Sequence, residues 1–138
     1  MAQRTKIGFP LTSKILEGTV FTGKGDGKKY LALPWVKQQL EEKLGYRPYL
    51  GTLNLKLTAE SVKRRRTLLK SKSSVVFPAE GFCVGLLFKA SIGCLDCAVI
   101  VPQVKGYPEN VLEVIAQLNL RKTLNLKDGE KVAVSVQV

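Results

Sequence analysis

Thr52 and Asn54 stand two residues apart in the run TLNLKL. A strand's period of two puts their neutral oxygens on one face and sends Leu53 and Leu55 to the other. Mg²⁺ commonly takes only one or two protein oxygens and completes its octahedron with phosphate and water. A Thr/Asn pair therefore suffices to hold it once a nucleotide supplies negative charge, although an ordinary polar strand face has the same spacing. Upstream, Gly23, Lys24, Gly25, Asp26, Gly27 and Lys28 alternate glycine with charge. Such a backbone approaches a phosphate closely and aims N–H groups at it, while the lysines add positive charge. The spacing is neither the Rossmann nor the Walker pattern, and a flexible glycine-rich hairpin reads equally well. Glu113, in VLEVIA, is a carboxylate between apolar neighbours. It can accept a proton or hydrogen bond from a substrate hydroxyl, or be the outward residue of an alternating strand.

The elements that must position these groups read mostly as strands. Residues 14–23 are branched and aromatic up to a glycine cluster, and residues 30–33 look like a neighbouring strand across the loop. Pro34 opens a helix in which Val36, Leu40 and Leu44 recur every four residues, with Gly45 as its cap. That stripe, with Trp35, is expected to seal one end of the core. Residues 53–57 alternate, residues 81–92 and 95–101 form a hairpin about Gly93, and residues 111–116 and 131–138 complete the strands. A helical turn falls at 119–124 and a chain reversal at Asp128-Gly129. Residues 61–74 are dense in charge and poor in apolar periodicity, so they read as an exposed excursion, and residues 63–72 within it are expected to be dispensable for catalysis. Short strands with one or two short helices predict a mainly β fold, a closed barrel that leaves few raw edges.

At 138 residues one core, and so one domain, is expected. A net charge of +11 favours a polyanionic partner. The absence of histidine removes the commonest general base and every His-based nucleophile relay. Cys83, Cys94 and Cys97, odd in number and in apolar surroundings, read as reduced core thiols rather than a disulfide framework or a zinc site. No apolar run is long enough to span a membrane or to act as a secretory signal, so a cytoplasmic protein is expected.

Together the three chemical segments resemble the archaeal-type CTP-dependent riboflavin kinases, over about residues 17–136. The likeness is densest in GTVFTGKGDGKKYLALP, LGYRPYLGTLNLKL and VLEVIAQLNLRKTLNLKDGEKV. It implies a six-stranded cradle-loop barrel, a kinase domain over residues 1–138 that transfers the γ-phosphate of CTP to the 5′-hydroxyl of riboflavin, giving FMN and CDP. By position it assigns the triphosphate to residues 23–28, further nucleotide contacts to Leu118, Asn119, Leu120 and Arg121, Mg²⁺ to Thr52 and Asn54, and a flavin contact to Glu113. Relatives tend to carry a threonine in a polar run after Val-Pro; here that run is Gln103-Val104-Lys105-Gly106-Tyr107, so the corresponding flavin contact falls on Lys105. The basic stretch at 63–72 matches no family motif. Some relatives carry a DNA-binding domain ahead of the kinase, and the residues before Lys14 are too few for one. A monomer is expected, with neither membrane nor nucleic acid as partner. The alternative classes are a basic nucleic-acid-binding barrel, for which residues 63–72 lack stacking aromatics, and a flavin-binding relative without catalysis.

Overall fold

The computed structural model describes residues 13–71, 73–79, 81 and 83–137. The signal-free reading of residues 1–12 concerns a stretch outside the described residues, as do Lys72 and Val138 at the ends of the basic segment and the last strand.

Among the described residues seven strands run antiparallel: β1 (Ser13–Phe21), β2 (Leu53–Leu57), β3 (Ser74–Val76), β4 (Gly85–Ile92), β5 (Leu95–Pro102), β6 (Val111–Ile115) and β7 (Lys131–Gln137). Six of them close in the order β4-β5-β6-β2-β1-β7, with β7 returning to β4 through Ala90↔Val136 and Ser91↔Ser135. The short β3 lies on the free part of the same β4 edge. The expected six-stranded barrel is thus present. Among the described residues four helices accompany it, more than the one or two expected: α1 (Asp26–Leu31), α2 (Pro34–Leu44), α3 (Ala59–Leu68) and α4 (Leu120–Thr123).

Strand composition follows from what covers each face. In β7 only Val132, Val134 and Val136 are buried, so the strand alternates cleanly with its outer face in water. β5 is buried on both faces. Its inward Cys97, Val99 and Val101 join Leu16, Leu55 and Val114 inside the barrel. Its outward Ala98 and Ile100 pack with Leu31, Val36 and Leu40 of α1 and α2. The α2 stripe therefore covers the outer wall rather than an end of the core. Burying each Leu or Val contributes about 1.5–3 kcal/mol, which is what holds α1 and α2 against the wall.

Three expectations are corrected. Residues 30–33 are not a strand; Tyr30 and Leu31 end α1, whose N-cap Gly25 sits at φ 88°, where a side chain is strained. The basic stretch is largely helical. Thr58 caps α3 by accepting the Ser61 N–H at 3.2 Å, and Ser61 Oγ accepts the Glu17 N–H at 2.8 Å, stapling the helix to β1. Arg64 donates to the Ile15 carbonyl and Arg66 pairs with Glu109, while Arg65 is only 4% exposed. The three arginines of KRRR are thus committed to the protein's own surface and interior, while Lys63 is exposed. Of the cysteines only Cys97 is a core thiol; Cys83 and Cys94 are exposed, and burial pushes the Cys97 thiol up to about 12. Among the described residues, no helix is long and apolar enough to cross a membrane.

Candidate functional site

The β2–β6 register places Asn54 opposite Glu113, and Leu53 opposite Val114. Because Leu53, Leu55, Leu112 and Val114 turn into the barrel, Asn54 and Glu113 both emerge on its outer face. Thr52, just ahead of β2, joins them, its hydroxyl donating to Asn54 Oδ1 at 3.0 Å. The glycine segment leaves the end of β1 and runs across these groups. The Gly23 backbone lies against the Asn54 amide. A Cβ on Gly27 would stand 2.7 Å from Glu113 Oε1 and 2.7 Å from both Thr52 Oγ1 and Thr52 Cγ2. The alternating glycines therefore bring the start of α1 into contact with the polar cluster, and the first N–H groups of a helix have no partner within it.

Glu113 is fixed on its other side. The phenol of Tyr107 donates to Glu113 Oε2, and burial together with that hydrogen bond raises the Tyr107 pKa, keeping it a neutral donor.

Two cavities meet at this cluster. One, of about 280 Å³, lies between α1 and the outer wall, with Tyr30, Ile100, Pro102 and Val104 as its body and Thr52, Tyr107 and Glu113 at one end. The Tyr30 hydroxyl is buried without a hydrogen-bond partner. The other cavity, of about 190 Å³, is bounded by Tyr49, Gly51, Thr52 and residues 118–121. Thr52 lines both. At the second, Arg121 pairs with Asp128 at 2.7 Å and donates to Thr22 Oγ1 at 3.2 Å, while Asn119 Oδ1 accepts the Lys122 N–H and caps α4. Asp128 is held below the usual carboxylate range by Arg121 and then Thr22.

The structure thus gathers Gly23, Gly27, Thr52, Asn54 and Glu113 at one point, with Asp26 on the larger cavity and Leu118, Asn119, Leu120 and Arg121 on the smaller. Lys24 and Lys28 are exposed beside them. Lys105 stands apart: it is exposed at the tip of the turn closed by Tyr107 N–H to the Val104 carbonyl, and its neighbours Val104 and Tyr107, not Lys105, line the cavity. Tyr107 and Tyr30 escape sequence reasoning. Tyr107 reaches Glu113 only because that turn folds back, and Tyr30 lies in the segment read as a strand.

The Thr52 and Asn54 oxygens fit magnesium. Their 3.0 Å separation matches the edge of an octahedron whose metal–oxygen bonds are about 2.0–2.1 Å, and the two neutral donors leave the charge to a nucleotide. Among the described residues no cluster of three or more His, Cys, Asp or Glu forms a separate metal site. Cys94 and Cys97, at the CxxC spacing, are free thiols, one exposed and one buried.

The family model CTP-dep_RFKase, described as domain of unknown function DUF120, matches residues 20–136. A riboflavin kinase of Methanococcoides burtonii is 38% identical over 133 residues, covering 88% of this chain and 56% of its own. One from Pyrobaculum aerophilum is 39% identical, covering 93% and 63%, and one from Ignicoccus hospitalis is 36% identical, covering 88% and 70%. The chain spans between about half and two thirds of the first of these curated relatives, 56% and 63% of their lengths.

Proposed function

The chain belongs to the archaeal-type CTP-dependent riboflavin kinase family, and from that premise we propose that it transfers the γ-phosphate of CTP to the 5′-hydroxyl of riboflavin. The observation that carries the reading is the position of Thr52, on the wall shared by a largely apolar slot and a second, polar-rimmed cavity, with Glu113 on the slot side of it. Phosphoryl transfer asks for little covalent work from the protein; it needs an acceptor oxygen in line with the phosphorus and charge placed around the transferring group. A site without histidine meets that need.

The isoalloxazine ring enters the slot between α1 and the outer wall, against Ile100, Pro102 and Val104, and the ribityl chain runs to Glu113. CTP lies along residues 118–121, its triphosphate crossing Thr52 toward the start of α1. The N–H groups around Gly25 and Gly27, with Lys24, Lys28 and Arg121, neutralise phosphate oxygens. Thr52 and Asn54 are the residues that would hold Mg²⁺, which when bound supplies positive charge to the phosphates. Glu113 accepts the hydrogen bond of the 5′-hydroxyl and orients its oxygen. As that oxygen bonds to the γ-phosphorus, the bond to the β-phosphate oxygen breaks, the hydroxyl proton passes to Glu113 or to solvent, and FMN and CDP leave. The reading makes residues 1–138 one kinase domain acting as a cytoplasmic monomer.

The decisive assay incubates the protein with riboflavin, Mg²⁺ and each of the four nucleoside triphosphates, and separates FMN by chromatography. FMN should form with CTP much faster than with ATP. Equal rates would break the assignment of the nucleotide cavity, and no FMN with any donor would break the reading as a whole.

A further inference from the structure

Glu113 presents two oxygens to two different neighbours. Oε2 accepts the Tyr107 hydroxyl. Oε1 faces the opposite way, so close to α1 that a Cβ on Gly27 would stand 2.7 Å from it. The carboxylate emerges on the outer face of β6, between inward Leu112 and Val114, so its backbone is set by the sheet while its side-chain torsions are free to turn. The Tyr107 hydrogen bond is what removes that freedom. Tyr107 is itself anchored, on the turn closed by its N–H to the Val104 carbonyl, with its ring lining the slot. Arg65 of α3, 4% exposed and with its Nε lacking a hydrogen-bond partner, is near enough for its charge to act on Tyr107 and Glu109.

We propose that Tyr107 is a positioning residue: by occupying Glu113 Oε2 it leaves Oε1, beside Gly27 and Thr52, as the one oxygen that receives the substrate hydroxyl. This rests on the reading of Glu113 as that hydroxyl's acceptor, and it fixes a direction for the substrate. The chain that carries the reacting hydroxyl ends at the wall shared by the two cavities, and the ring lies toward Pro102 and Val104. Tyr107 touches neither phosphate nor metal; it acts only through the carboxylate.

The test is a double-mutant cycle on kcat for FMN formation, with riboflavin affinity followed by quenching of flavin fluorescence. Tyr107→Phe keeps the ring that lines the slot and removes only the donor. A hydrogen bond to a charged group is worth enough that kcat should fall about tenfold or more, while KM for CTP and the riboflavin Kd stay within about threefold. In a Glu113→Gln background the same substitution should then change kcat by less than about twofold, because residues that act as one unit are not additive. A purely structural tyrosine would lower activity equally in both backgrounds, and that result overturns the inference. So does a Tyr107→Phe enzyme with the wild-type kcat, provided Glu113→Gln is impaired. If Glu113→Gln alone turns over normally, the acceptor role fails first and the positioning role with it. Retained riboflavin binding shows that each variant is folded.

Discussion

Gly27→Ala puts the close approach of α1 to the cluster on a scale. The added methyl would meet Glu113 Oε1, Thr52 Oγ1 and Thr52 Cγ2 at 2.7 Å, where ordinary contact begins at 3.4 Å, so something must move by about 0.7 Å. Neither neighbour yields freely, since Glu113 is tied to Tyr107 and Thr52 to Asn54. Two terms oppose each other in stability. Replacing glycine in a helix gains about 0.5–1 kcal/mol, and overpacking costs about 1–3 kcal/mol, so a net loss of about 0–2.5 kcal/mol is expected. Activity should suffer more, because misplacing reacting groups by about 1 Å can cost 10²-fold in rate. If α1 lifts instead, the slot opens, and KM for riboflavin rises. Either way kcat/KM for FMN formation should drop about 30- to 100-fold, with thermal melting slightly lowered. An alanine variant that melts higher than wild type and keeps kcat/KM within threefold would refute the packing of α1 onto Glu113 and Thr52.

Asn54→Ala should cost about 10²–10³ in kcat with little loss of stability, because its side chain faces out of the barrel toward Thr52 rather than into the core; normal turnover at limiting Mg²⁺ would make it an ordinary strand residue. Lys105→Met should leave kcat/KM for riboflavin within about threefold, given its exposed place at the turn tip, and a tenfold loss would return it to the flavin site. Thiol titration of the folded protein at pH 8 should modify the exposed Cys83 and Cys94 at once and Cys97 only after unfolding, since its thiol, raised to about 12, stays protonated and enclosed; three fast thiols would contradict its place in the barrel.

The alternating strands were legible because their period survives in the residues themselves: Leu53, Leu55 and Leu57 alternate as the barrel demands, and the cluster of Thr52, Asn54 and Glu113 follows from that period plus register. Register across β2 and β6 was not legible, since pairing Asn54 with Glu113 depends on the whole barrel closing. Two helices were hidden for separate reasons. α1 begins with Asp26-Gly27, poor helix formers, and exists because Leu31, 1% exposed, is buried against the barrel wall, a case of packing overriding propensity. α3 buries Ser61, Arg65 and Leu68, spaced as a helix face, but two of the three are polar and do not register as an apolar stripe. Thr58 ahead of Ser61 was the available capping signal.

Thr52 belongs to both cavities, and two pockets with one wall between them have a physical route by which filling one can act on the other. On the proposed assignment, a shift of that wall when the nucleotide fills the smaller cavity would alter the free energy of filling the slot. Linkage requires the reverse effect to be of equal size: if the nucleotide tightens the flavin by some factor, the flavin tightens the nucleotide by the same factor, and a typical intersite coupling would make that about 5- to 150-fold. A single threonine would then set not only where the two substrates meet but how far each one's occupancy reports the concentration of the other.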